Sequence, residues 1–227
     1  MALILSIDTS TSVCSVAVHQ DGKLLACAEL FLDKTHSENL AAIIHDVMGY
    51  LGFTPKDFDA FAVSKGPGSY TGLRIGVSTA KGLCFANDKP LLAIGSLEAM
   101  AYQFHCLNPD AKGSICTMLD ARRMEVFCAV FDASGRNYIL PTEAHIVEEN
   151  SFASFLNLGT TYFVGNSNDK VKAAINHPNA KFVDHIYPSA KYTGYLAEEA
   201  FKKEKFEDLA YFEPYYLKEF MSTSKKL

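Results

Sequence analysis

Lys65-Gly66-Pro67-Gly68-Ser69-Tyr70-Thr71-Gly72-Leu73-Arg74-Ile75-Gly76 is the stretch from which the fold of this 227-residue chain is read. The apolar run Phe61-Ala62-Val63 before it has the composition of a buried strand, and the residues after it suit a helix reaching residue 87. Strand, Gly/Pro turn and helix in that order aim backbone N–H groups at an anion. Two phosphate-binding patterns are nevertheless excluded. A P-loop needs Lys-Ser/Thr after its last glycine, where this chain has Leu73-Arg74. The dinucleotide fingerprint needs a third glycine at the place of Thr71. Downstream, Gly72, Gly76 and Ala80 recur every four residues and so share one stripe of the helix. A helical glycine costs roughly 1 kcal/mol relative to alanine. The stripe therefore serves either close internal helix–sheet packing or a contact with a second protein.

Working upstream, residues 2–8 read as a central strand and Asp8-Thr9-Ser10-Thr11-Ser12 as a polar turn. Strands at 13–18 and 24–30 are joined across Gln20-Asp21-Gly22-Lys23, whose Asp-Gly is a hairpin signal. Strand, hydroxyl-rich turn, two strands and a helix also open RNase H-like and actin-like domains. By that analogy Asp8, Thr9, Ser10 and Thr11 form a phosphate cradle with Gly66, Gly68, Ser69 and Thr71; the same composition also makes a plain turn. Thr35-His36-Ser37-Glu38 reads as a capping box. The helix it starts carries Leu40, Ile43, Ile44, Val47, Met48 and Leu51, a full apolar stripe, and ends at Gly49 and Gly52. Thr54-Pro55 begins a short helical turn, residues 60–64 and 90–94 are strands, and Ser96 caps a helix reaching residue 104.

Residues 107–113 are turn-rich and place a domain boundary, dividing the chain into 1–106 and 107–227. Beyond it, strands at 114–119, 125–131 and 137–140, with Asp132-Ala133-Ser134-Gly135 as a hairpin turn, coarsely repeat the opening. Helices at 151–158, 169–176 and 189–203 alternate with short strands at 161–164 and 181–183. The aromatic segment 211–220 packs back on a domain, and 222–227 is frayed.

A 48% hydrophobic content without low-complexity tracts indicates a packed globular protein. The net charge of −5 argues against an independent grip on nucleic acid, which needs clustered Lys/Arg; the basic runs here are short. Cys14, Cys27, Cys84, Cys106, Cys116 and Cys128 show no C-x-x-C pair and no metal-ligand spacing, which fits a reducing compartment. The apolar start is cut short by Asp8, so it is neither a leader core nor a membrane span; the expected location is cytoplasmic. Nucleophilic catalysis lacks a G-x-S-x-G, and no cysteine has an electropositive sequence setting. Asp120 and Glu125 flank Arg122-Arg123 in a tight hairpin, which predicts local ion pairing or a partner- or RNA-facing edge.

The residues 66–76 motif, with Ile4-Leu5-Ser6-Ile7-Asp8-Thr9-Ser10 and His36-Ser37, resembles the TsaB (YeaZ) family of bacterial tRNA threonylcarbamoyladenosine biosynthesis proteins. Asp120-Ala121-Arg122-Arg123-Met124-Glu125-Val126-Phe127 and, more weakly, Pro214-Tyr215-Tyr216-Leu217-Lys218 extend the likeness, which is specific over residues 1–130 and thin afterwards. Tyr70 stands where that family commonly has Phe. The resemblance implies an actin-like α/β fold of two RNase H-like domains, the second reduced. It also implies a non-catalytic subunit for modification of the adenosine beside the tRNA anticodon. The catalytic relatives (TsaD) hold an ion with His-x-x-x-His, whereas here His36 is followed four residues on by Leu40, and His45 falls on the opposite helix face. No metal is expected, and metallopeptidase activity gets little support. The implied partners are a TsaD-type catalytic subunit and a TsaE-type ATPase, with tRNA reached only through the complex and a homodimer when the chain is alone. The stripe of the first helix makes more apolar surface than one sheet face is expected to cover, and the smooth stripe of the second lies beside it. The expected partner surface, pairing as a four-helix bundle, therefore comprises His36, Ser37, Leu40, Ile43, Ile44, Val47, Gly72, Arg74, Gly76 and Ala80. The chain alone calls for no cofactor, with room for ATP or ADP at the interface of the complex. The rival enzyme class is an actin-like small-molecule kinase or ATPase using Asp8 and the glycine loop. It would need a second phosphate loop, for which residues 159–166 are a weak candidate.

Overall fold

The computed structural model describes residues 2–31 and 36–218. Its first sheet is centred on β1 (Leu3–Asp8), whose six residues are all buried, as an uninterrupted apolar run demands. β2 (Val13–Gln20) and β3 (Lys23–Phe31) extend the sheet antiparallel on one side, with Asp8 opposite Ser15 and Leu3 opposite Gln20. Asp21 and Gly22 both take positive φ, 51° and 75°, the turn their identities predict. β4 (Ala60–Gly66) and β5 (Leu91–Gly95) extend it parallel on the other side, giving the order β3-β2-β1-β4-β5.

The second sheet repeats this plan. β6 (Ser114–Asp120) is flanked antiparallel by β7 (Glu125–Phe131) and β8 (Tyr138–Ile146), and parallel by β9 (Thr161–Gly165) and β10 (Ala180–Val183). Read as β8-β7-β6-β9-β10, its order matches the first strand for strand. Two RNase H-like sheets joined in this way make the actin-like α/β fold. The reduction of the second half lies in its helices. α4 (Ala153–Leu156) and α5 (Asn168–Ala174) have 4 and 7 residues, against 16 and 18 in α1 (His36–Leu51) and α2 (Tyr70–Asn87). Strand β8 runs well past its expected end at residue 140, through Pro141; it is an edge strand, where a missing N–H is tolerated.

Helices α1 and α2 cover one face of the first sheet, where Leu40, Ile44, Val47, Val77 and Ala80 meet Leu5, Ile7, Val16 and Val63. The other face is closed by α6 (Ala190–Lys202), through Leu196 and Ala197 against Ile4, Ala62, Leu92 and Ile94. Helix α3 (Ser96–Leu107), the last of the first half, packs Leu97, Met100 and Phe104 on Ile115, Phe131 and Val164 of the second sheet. The final helices thus cross, so that each sheet is completed by the other half's helix. Ser96 does not cap α3: Gly95 is the N-cap, and Ser96 is buried with its Oγ 2.8 Å from Ser64 Oγ. The expected cap Thr35 and the frayed end 222–227 lie outside the described residues.

The tail folds back along the first half. Glu207 N donates to Leu91 O at 2.9 Å, Lys81 Nζ donates to Phe212 O at 3.0 Å, and Tyr215 N donates to Lys65 O at 2.7 Å. It then crosses to the second half, where Lys218 pairs with Glu125.

Candidate functional site

The glycine loop and the Asp8 turn meet, and they meet by bonding to each other. Ser69 N donates to Ser10 O at 2.7 Å, and Thr9 Oγ1 donates to Gly72 O at 2.7 Å. Glycine is required at Gly68, Gly72 and Gly76 for one reason. A Cβ at Gly68 would overlap the Ser10 carbonyl, one at Gly72 the Thr9 carbonyl, and one at Gly76 the Thr9 hydroxyl. Thr9 and Ser10 are fully buried by the contact. Asp8 Oδ1 accepts from Ser10 N at 2.9 Å and Ser10 Oγ at 2.7 Å, while its Oδ2 is buried without a partner among the described residues. Burial raises its pKa above the usual carboxylate value, against the hydrogen bonds from Ser10, which lower it. Gly72 N donates to Ser69 Oγ at 3.3 Å, so two loop N–H groups that a phosphate would engage already serve the chain. The structure brings the expected cradle residues Asp8, Thr9, Ser10, Gly68 and Ser69 together, but as a closed joint, while Gly66 packs against Leu73 and the Tyr215 carbonyl instead. Ser69 and Thr71 face solvent at its rim.

The expected partner surface needs a larger correction. Leu40, Ile44 and Val47 lie in the core beneath the first sheet, and Ile43 is half-buried against it. Gly72, Gly76 and Ala80 are buried inside the same half. One sheet face does suffice to cover the apolar stripe of α1, and the smooth stripe of α2 is filled by Thr9. His36 is buried and turned inward, its Nε2 2.7 Å from Thr11 O, so it fixes the end of the Asp8 turn. Only Ser37 and Arg74 of that set are exposed. The outward faces of α1 and α2 carry other residues: Glu38, Ala41, Ala42, His45, Asp46, Gly49 and Tyr50 on one, Ser78, Gly82, Phe85 and Ala86 on the other. Tyr50 is 89% and Phe85 83% exposed, an unusual state for aromatic side chains flanked by small residues. Sequence reading missed these two because they interrupt no apolar period.

At the corresponding place in the second half, Asp120 ends β6 as Asp8 ends β1. Lys170 at the start of α5 pairs with Asp120 and also donates to Arg123 O at 3.1 Å and Glu125 O at 2.5 Å. Asp120 N donates to Asn166 Oδ1 at 2.8 Å. The expected ion pairing of Asp120 and Glu125 with Arg122 and Arg123 therefore does not occur, since both acids are taken by lysines from distant segments.

Among the described residues, no group of three His, Cys, Asp or Glu side chains could hold a metal ion. Burial pushes the Cys14 thiol up to about 11 and those of Cys84 and Cys128 up to about 12, which keeps these sulfurs protonated and weakly nucleophilic at neutral pH. No helix among the described residues is long and apolar enough to cross a membrane.

Comparison with known proteins adds to this geometry. The family model described as "TsaD: tRNA N6-adenosine threonylcarbamoyltransferase" matches residues 31–220. The tRNA threonylcarbamoyladenosine biosynthesis protein TsaB of Bacillus subtilis is 35% identical over 128 residues, 56% of this chain and 54% of the relative. Its Escherichia coli counterpart is 34% identical over 148 residues, 64% of this chain and 63% of the relative. The chain thus matches between half and two thirds of the length of these curated relatives. The solved structure of YeaZ from Pseudomonas aeruginosa superimposes with a TM-score of 0.84 at 24% identity, covering 96% of this chain and all of that one, and so shares its fold. The chain belongs to the tRNA N6-adenosine threonylcarbamoyltransferase family and, within it, to the TsaB (YeaZ) proteins.

Proposed function

We propose that this chain is a non-catalytic subunit of the tRNA threonylcarbamoyladenosine modification machinery that supports a TsaD-type catalytic subunit. The observation that carries the reading is the outward face of α1 and α2, where Tyr50 and Phe85 stand exposed beside small residues (Ala41, Ala42, Gly49, Ser78, Gly82, Ala86) and the polar Glu38, His45 and Asp46. Small residues let a second pair of helices approach closely, and two aromatic side chains supply the anchors that dominate an interface. The non-catalytic part is supported by the state of the joint: the loop amides that would grip a phosphate are bonded within the chain, and the buried sulfurs are held protonated. A kinase or ATPase would need a phosphate between Ser10 and Ser69, where the two backbones are already hydrogen-bonded.

In this reading a TsaE-type ATPase joins the pair, tRNA is bound through the complex, and two copies of the chain associate through the same helices when the partner is absent. ATP or ADP, where needed, sits at the interface of the assembled complex and not in this chain alone. The machinery works in the cytoplasm. The test is co-elution with the TsaD-type subunit from the same cell. Tyr50→Asp and Phe85→Asp should each weaken the pair by about tenfold or more, a loss of roughly 1.4 kcal/mol or above, without lowering thermal stability. Undiminished co-elution of both variants refutes the reading. Substitution of Ile44, a core residue, would test only folding.

A further inference from the structure

The turn between β6 and β7 holds two arginines that the chain's own packing leaves over. Arg122 and Arg123 take φ of 67° and 48°, a left-handed conformation that residues with side chains rarely adopt in succession. It makes the tight hairpin and leaves both residues exposed. The carboxylates beside them are neutralised from elsewhere, Asp120 by Lys170 and Glu125 by Lys218. Among the described residues no hydrogen bond or ion pair reaches either guanidinium. The turn thus presents net positive charge on a chain whose total is −5. The tail that supplies Lys218 to Glu125, beside this turn in sequence, carries a second feature. Two residues earlier, the Tyr216 ring lies 4.8 Å from that of Tyr70 at 33°, with the Arg74 guanidinium 5.4 Å from the Tyr70 ring centre.

We infer that this face, the Arg122/Arg123 turn together with the Tyr70/Tyr216 pair, takes an RNA strand inside the complex. The arginine forks match phosphate oxygens, and the tyrosine pair offers a flat surface to an unstacked base. An acidic protein surface would satisfy only the arginines, whereas RNA can engage them and also stack a base on the exposed Tyr216 ring, which favours RNA. The inference rests on the tRNA reading above and deepens it: this chain itself contributes contacts to the RNA, adding to whatever its partner holds.

The test uses Arg122→Asn with Arg123→Gly, which removes both charges and installs Asn-Gly, the residues best suited to this turn, so the hairpin survives. Binding of an unmodified tRNA transcript is measured by fluorescence anisotropy, with the full chain alone and mixed with the TsaD-type subunit, between about 50 and 200 mM salt. The double variant should lose about tenfold in affinity at the low-salt end and flatten the log–log salt slope by about 1 to 2. Tyr216→Ala should lose about fivefold or more with the slope unchanged. Equal affinity and slope for the double variant overturn the inference. So does the absence of tRNA binding in both samples, or displacement of the tRNA by polyglutamate at matched charge. Co-elution with the catalytic subunit, followed on the same samples, reports separately on the partner reading.

Discussion

Replacing Gly76 by alanine separates the two uses that a smooth helical stripe can have. If the stripe lay open for a partner, Gly76→Ala would stabilise the free chain by about 1 kcal/mol through helix propensity. In the structure the new Cβ would overlap Thr9 Oγ1, a buried hydroxyl held by its 2.7 Å bond to Gly72 O, while Val63 Cγ2 stands at 3.5 Å and blocks retreat. Overpacking a site of this kind costs about 1–3 kcal/mol, and displacing the hydroxyl adds about 1 kcal/mol for its hydrogen bond. Set against the propensity gain, a net loss of about 1–3 kcal/mol is expected. Two controls isolate the cause. Gly82 lies on the same helix with nothing within 4 Å of a built Cβ, so Gly82→Ala should stabilise by roughly 0.5–1 kcal/mol. Thr9→Ala removes the obstructing oxygen and leaves the Thr9 Cβ at an ordinary 3.6 Å, so in that background Gly76→Ala should turn neutral or stabilising. Urea unfolding followed by circular dichroism reads all five proteins, the parent included, and the Thr9/Gly76 cycle among them. The reasoning is refuted if Gly76→Ala matches Gly82→Ala in the parent chain, or if its cost persists beside Thr9→Ala.

Further outcomes follow from single buried groups. His19, buried against Gly194 of α6 with Tyr195 edge-on at 4.7 Å, has its pKa lowered to about 4 by burial from an ordinary 6.5. The unfolded chain binds this proton below 6.5 and the folded chain does not until about 4. Stability should therefore fall as pH drops through that window, by on the order of 1–2 kcal/mol, and stay flat above it. His19→Leu should flatten that part of the urea-midpoint profile between neutral pH and pH 4 relative to the parent; an identical slope in both proteins would dismiss the assignment. Lys170→Met should destabilise by about 1–2 kcal/mol, since it strips Asp120 and two turn carbonyls of their shared donor. Hydrogen exchange should show the loss concentrated in the β6–β7 turn, and unchanged protection there would count against Lys170 as its fastener.

The elements of this protein are written locally. Contiguous apolar residues made β1 a central strand, Asp21-Gly22 closed the first hairpin, and the period of Leu40, Ile44, Val47 and Met48 marked α1 and its apolar side, though not that the first sheet covers it. The failed phosphate motifs and the missing second histidine were equally plain, because each needs a residue type at a fixed spacing. What covers a face is not written locally. Periodicity groups Gly72, Gly76 and Ala80 on one stripe, but only the folded chain shows Thr9, more than sixty residues away in sequence, reaching it at 2.7 Å. The same holds for charge. Asp120 and Glu125 stand beside two arginines in the sequence, yet lysines brought in by α5 and the tail bind them, because the hairpin's left-handed turn aims the arginines at solvent. Sequence fixes which residues share a surface, through backbone geometry within a few residues; the partner of that surface is chosen by long-range packing, which no local pattern encodes.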